Sequence, residues 1–203
     1  MRAKVTLTWA ALAAAICVPI AFAAISPQLE WRDAIYITAG FAGIIALGFM
    51  LVQPLLIGGH LPGLSAYRSR RVHRWVGALL VAAIVIHVGG LWITSPPDMI
   101  DALLFRSPTP FSPFGVIGMW AIFAVALLAA FRQRLRLRTF RIAHILLAMV
   151  IVIASVAHVV LIEGAMETVT KVVLCVLVLA ATATIVMGPR MWRRQNAARS
   201  EIS

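Results

Sequence analysis

Two stretches of the chain begin and end with histidine at the same interval, and no other feature narrows the folding options as sharply. They are HRWVGALLVAAIVIH at 73–87 and HILLAMVIVIASVAH at 144–158. Apart from Arg74 and Ser155, everything between the histidines is apolar. Each stretch reads as a membrane-spanning helix. On a helix, fourteen residues turn through roughly 1400°, about 40° short of four full turns, and rise about 21 Å. Each helix therefore carries two imidazoles on nearly one face, one towards each side of a bilayer. Two such helices side by side pair their histidines level by level, His73 with His144 and His87 with His158.

Composition supports the membrane reading. The chain is 62% hydrophobic and 12% charged, with a mean hydropathy of +0.97, whereas globular domains are about a quarter charged. Apolar runs fall at about 5–25, 35–57, 72–94, 114–131, 142–162 and 169–189. The expected fold class is an all-α polytopic bundle of six transmembrane helices. It forms a single membrane domain over 1–203, with a helical core at 35–190 and a polar tail at 191–203. Residues 1–30 hold either a first spanning helix or a cleavable signal peptide, since Arg2 and Lys4 precede the apolar run and Ala21-Phe22-Ala23 lies near its end. The length of that run favours an uncleaved helix. Gly40, Gly43 and Gly48 in the second run would let a neighbouring helix approach closely, and Pro54 kinks that run or marks its last turns. Leu103, Leu104 and Phe105 suit a short interfacial turn.

In a soluble protein a net charge of +11 would suggest a nucleic-acid partner. The distribution of the charges argues otherwise. With the amino terminus inside, only Arg32, Arg106 and Lys171 of the eighteen Lys and Arg fall on the outer side. The acids Glu30, Asp33, Asp98, Asp101, Glu163 and Glu167 all lie outside. The basic residues set orientation, so both termini are expected in the cytoplasm, with the third and fifth helices running parallel from inside to outside. Membrane lipid and topology account for the charge without nucleic acid, and the Arg132–Arg141 cluster could also attract an acidic soluble partner.

Cys17 and Cys175 lie inside apolar runs, and no CxxC or CxxCH occurs. An iron–sulfur cluster, a zinc ribbon and covalently attached heme therefore lack support. Two imidazoles per level with no Cys, Asp or Glu nearby leave a zinc site incomplete. They suit a six-coordinate heme iron, which points to two b-type hemes held non-covalently. His60 stands apart in a Gly-rich loop and has no level partner. Arg74, beside His73, and Arg141, one turn before His144, either pair with heme propionates or snorkel and set topology. Trp75, Trp92 and Trp120 are assigned to the membrane interface. A histidine-lined proton or metal transporter would call for intramembrane acids or broken helices, and neither is found. A membrane anchor with incidental histidines differs by its lack of cofactor alone.

The two HxxxxxxxxxxxxxH helices, third and fifth of six, resemble the ferric reductase-like transmembrane domain over about residues 36–190. That family includes the membrane cores of ferric reductases and NADPH oxidases and the heme-binding subunit of the bacterial periplasmic methionine sulfoxide reductase system. HRWVG at 73–77 is similar to its bacterial members. The resemblance implies that His73 and His144 ligate an inner heme and His87 and His158 an outer one. It also implies electron transfer across a bacterial inner membrane from a reduced flavin or nicotinamide. After residue 190 only a short polar tail follows, without GxGxxG. The expected donor is therefore a separate cytoplasmic flavin reductase or flavoprotein, or FMN or FAD bound at the cytoplasmic face. The acceptor is a periplasmic oxidoreductase, a ferric chelate or a quinone.

Overall fold

Among its described residues the chain is all helix, with no strand, in a computed structural model that describes the backbone over residues 2–200 and side chains over 2–188. The helices are α1 (Arg2–Ala24), α2 (Ala34–Ile57), α3 (Ala66–Thr94), α4 (Pro96–Leu103), α5 (Ser112–Ala130), α6 (Leu137–Leu161) and α7 (Thr168–Ser200). All but α4 are long and apolar enough to cross a membrane. The chain is a multi-pass membrane protein.

Local chemistry explains the boundaries. Asp33 caps α2 by accepting a hydrogen bond from the Ile35 N–H at 2.7 Å, and Ser65 caps α3 by accepting from the Arg68 N–H. Glu167 accepts from the Val169 and Thr170 N–H groups at the start of α7. Such caps satisfy amides that a helix's first turn leaves without partners. At the far end of α2 the His60 N–H returns to the Leu55 carbonyl across Gly59, whose φ of +69° is open to glycine at little cost. Pro54 lies inside α2 within its last turn.

The boundaries differ from the apolar runs in three places. Helix α3 begins at Ala66 rather than near 72, so Arg68, Arg70 and Arg71 form its first turns instead of a loop. Pro96–Leu103 is a full short helix, with Leu104 as its C-cap and Phe105 beyond it at φ +57°. Helix α7 continues to Ser200, past Gly188-Pro189, where the apolar run stops. The side chains of the basic tail (Arg190, Arg193, Arg194 and Arg199) lie outside the described residues.

Helix α2 is the hub. It packs along α3 on one side and against α7 and α1 on the others, while α5 pairs with α6 and α6 leans on α7. The core is built from Leu47, Met50 and Leu51 of α2, Leu80 and Ala83 of α3, Ile122 of α5, Ile151 and Val152 of α6, and Leu174 and Val178 of α7. Gly48 gives α1 its close approach, since a Cβ there would stand 3.0 Å from Ile16 Cγ2. Gly40, expected to do the same, faces nothing within 4 Å.

The bundle thus contains two antiparallel hairpins of the same polarity, α2–α3 and α5–α6. Helix α4 is too short to cross, so α3 and α6 run in the same direction. The two do not pack closely on one another. They do meet at the rings of His73 and His144.

Candidate functional site

The four intramembrane histidines lie on α3 and α6 at matching heights. His73 and His144 sit towards the end of the bundle that gathers Arg68–Arg74 and Arg132–Arg141, and His87 and His158 towards the end that carries the acids. All four are half-buried, and the two pairs sit at the same places in their helices, the eighth and twenty-second residues of α3 and of α6. Leu80 and Ile151 stand seven residues from each histidine, about 20° short of two full turns. They occupy the same helix faces midway between the levels, and both are buried in the core.

At the basic end the two rings meet. The His73 and His144 centroids are 6.2 Å apart with planes at 61°, and Phe140 stacks on His144 at 5.5 Å. Both Nδ1 atoms are buried without a hydrogen-bond partner. Gln53 of α2 lies beside this level: its Nε2 donates to the His73 carbonyl at 3.3 Å, while its own Oε1 is buried and unpartnered. Unpaired polar atoms are uncommon in a buried setting, and three of them collect here.

At the acidic end each ring is held by a backbone carbonyl of its own hairpin. His87 Nδ1 lies 2.7 Å from the Ala39 carbonyl oxygen on α2, and His158 Nδ1 lies 3.0 Å from the Phe111 carbonyl at the start of α5. A carbonyl only accepts, so each Nδ1 carries the proton and donates. That leaves Nε2 of each ring with its lone pair free, the state of a neutral imidazole ready to bind a metal. The His87 and His158 rings do not stack on one another or meet edge-on. Phe111 also meets His158 edge-on at 5.6 Å.

The remaining sequence candidates lie outside these two levels. Arg74 and Arg141 are exposed next to the basic-end pair, one on each histidine helix. His60 is exposed in the turn after α2, near Gly58 and Ile185. Cys17 is exposed and Cys175 buried, both as free thiols. Sequence reasoning did not single out the Ala39 and Phe111 carbonyls, which have no side-chain signature, or the burial of Lys171. That lysine is only 7% exposed, and its Nζ donates to the Ile162 carbonyl at 3.0 Å, capping the α6 end one turn beyond His158.

Among the described residues no three His, Cys, Asp or Glu side chains converge on one point. Two imidazoles at a level cannot enclose a bare ion. They can complete the coordination of a metal that arrives with an equatorial ligand set of its own. With metal–imidazole bonds of about 2 Å, two rings on opposite sides of one metal stand about 6 Å apart. The basic-end pair matches that spacing.

The family model described as "Ferric reductase like transmembrane component" matches residues 10–155, well over half of the chain. The match starts earlier than the resemblance drawn from the histidine helices, inside α1, and stops three residues before His158. No curated protein and no solved structure matches the chain.

Proposed function

Because the chain belongs to the ferric reductase-like transmembrane family, we propose that it carries electrons across a bacterial inner membrane through two b-type hemes. The observation that carries this reading is the meeting of the His73 and His144 rings on parallel helices that do not otherwise pack closely, with His87 and His158 at matching heights fourteen residues further along. His73 and His144 hold the inner heme, and His87 and His158 the outer one. When bound between two imidazoles, each heme would supply one-electron iron chemistry, which favours electron transfer over binding of substrate at the metal.

The protein's own residues do the rest. The Ala39 and Phe111 carbonyls keep the outer imidazoles protonated at Nδ1 and so present Nε2. Leu80 and Ile151 keep the space between the levels apolar, which limits reorganisation around a moving charge. Arg74 and Arg141 reach the inner surface where they pair with propionate carboxylates.

The basic end faces the cytoplasm by the distribution of arginine and lysine, with both termini on that side. Its arginines around Arg68–Arg71 and Arg132–Arg141 dock an acidic surface on a separate flavin reductase or other flavoprotein, or hold FMN or FAD directly. The acceptor is a periplasmic oxidoreductase or a ferric chelate.

The test is a reduced-minus-oxidised spectrum with pyridine-hemochrome quantification on the purified protein. About two hemes b per chain are expected from the two bis-imidazole levels. Well-folded protein without heme would sink the proposal. Single-level loading would cut it to one heme, with His87→Ala and His144→Ala telling which.

A further inference from the structure

The two outer histidines are anchored by the same device, repeated once in each hairpin. His87 bonds the Ala39 carbonyl and lies against Gly43, four residues further along α2. His158 bonds the Phe111 carbonyl and lies against Gly115, four residues further along α5. The sequence separations of the bonded pairs, 48 and 47 residues, are nearly the same.

The geometry of a helix explains the glycine. The carbonyl of residue i points along the axis at the N–H of residue i+4, and the Gly115 N–H does donate to the Phe111 carbonyl at 3.1 Å. A side chain from a neighbouring helix that wants the second lone pair of that oxygen must come in beside residue i+4. Any Cβ there stands in its way. A Cβ at Gly115 would lie 2.7 Å from His158 Nδ1 and 2.9 Å from Cε1. One at Gly43 would lie 3.0 and 3.1 Å from the same atoms of His87. The obstructed atoms belong to a ring held at both ends, by its own helix and by its carbonyl, so it cannot swing aside and keep its bond.

We propose that Gly43 and Gly115 are positioning residues for the outer heme: bare helix surface at these two points lets each imidazole share a backbone carbonyl, which fixes its tautomer and aims Nε2 at the metal. The proposal rests on the reading that His87 and His158 ligate a heme. Both glycines act through the ring they adjoin.

The experiment uses the full chain purified with its hemes. Gly115→Ala and Gly43→Ala are compared with Gly40→Ala and Gly89→Ala, two glycines with no neighbour within 4 Å. Readouts are heme per chain, redox titration of the two components, and low-temperature EPR of each ferric heme. The outer component is identified by its loss in His87→Ala. Losing a ligand's outer partner weakens metal binding about 10–100-fold. Gly115→Ala is therefore expected to deplete the outer component, or to raise its potential and change its EPR signal, with the inner component as internal control. Gly43→Ala should act in the same direction and less, and the two controls should leave both components as they are. If Gly115→Ala disrupts the whole bundle, Gly43→Ala alone decides. Two hemes per chain with an unchanged outer component in the folded glycine variants would overturn the positioning role and leave the electron-transfer reading standing. A wild-type chain without heme would overturn both.

Discussion

At the acidic end of the bundle each histidine is tied to a carbonyl of its own hairpin, whereas at the basic end the rings meet each other and both Nδ1 atoms go without a partner. The residue type, the spacing and the helices are the same at both levels. The difference lies in what the flanking helices offer. Around His87 and His158 the helices α2 and α5 present glycine and an open carbonyl. Around His73, α2 presents Gln53, whose amide bonds the histidine's backbone instead of its ring. One level is thus held by backbone and the other by side-chain packing, with Phe140 stacked on His144. Backbone anchoring constrains the rings at the acidic end in a way that the rings at the basic end, with their free Nδ1 atoms, are not constrained.

Removing ligands tests this contrast most severely. His158→Ala is expected to abolish the outer heme and leave the inner one in place, read as loss of about half the pyridine-hemochrome signal. His73→Ala should do the converse. Loss of both hemes in either variant would mean that the levels are not independent.

A smaller effect is expected at the outer end of α6. Lys171→Met deletes the bond to the Ile162 carbonyl, and hydrogen bonds to charged groups contribute about 1.5–3 kcal/mol. Thermal unfolding in detergent should show that loss, and the outer component should suffer more than the inner because Ile162 follows His158 by one turn. Equal disturbance of both would make Lys171 a general brace.

Gln53→Met sharpens the comparison from the inner side. It removes one hydrogen bond, about 1 kcal/mol, and also removes a buried unpaired oxygen of similar cost, so stability should shift by less than about 1 kcal/mol. The inner component should change in its redox titration, and the outer should not.

The smallest effect concerns pH. The Thr170 and Val169 N–H groups, bonded to Glu167, hold its carboxyl below the ordinary carboxylate range. Because the folded value is depressed, the stabilisation is present above the unfolded pKa and is lost as pH falls through the folded one. Acid below the ordinary carboxylate range should therefore loosen the start of α7, seen as faster amide exchange at Val169 and Thr170 relative to an unfolded chain at the same pH. Glu167→Gln should flatten that dependence.

Much of this was legible in the residues. Fourteen-residue histidine spacing within apolar runs is a periodic signal, so both the six spans and the matched heights follow from counting. The early start of α3 was hidden because hydropathy ends where Arg71 begins, although the cap that fixes the start, Ser65, is local. Lys171 was placed at the outer end by charge alone, but its burial depends on how α6 and α7 meet. The outer anchors were invisible for a deeper reason. Ala39 and Phe111 act through carbonyls that every residue has, and Gly43 and Gly115 matter only once each hairpin is in register with its histidine. Gly43 was noted as a place of close approach, without a hint that the visitor would be an imidazole.

The division of each level between two hairpins also bears on how the protein is made. During synthesis α2–α3 leaves the ribosome first and can pair in the bilayer while α5–α6 is still being translated. At that stage His73 and His87 have no counterparts, since His144 and His158 lie on α6. Under the proposed function, heme capture would wait for the second hairpin and would then tie the halves together, because a ligand that binds only the assembled form stabilises it by mass action. Cofactor loading would then serve the cell as a proofreading step: a chain whose halves have failed to dock stays empty, loosely joined and open to the membrane's proteases.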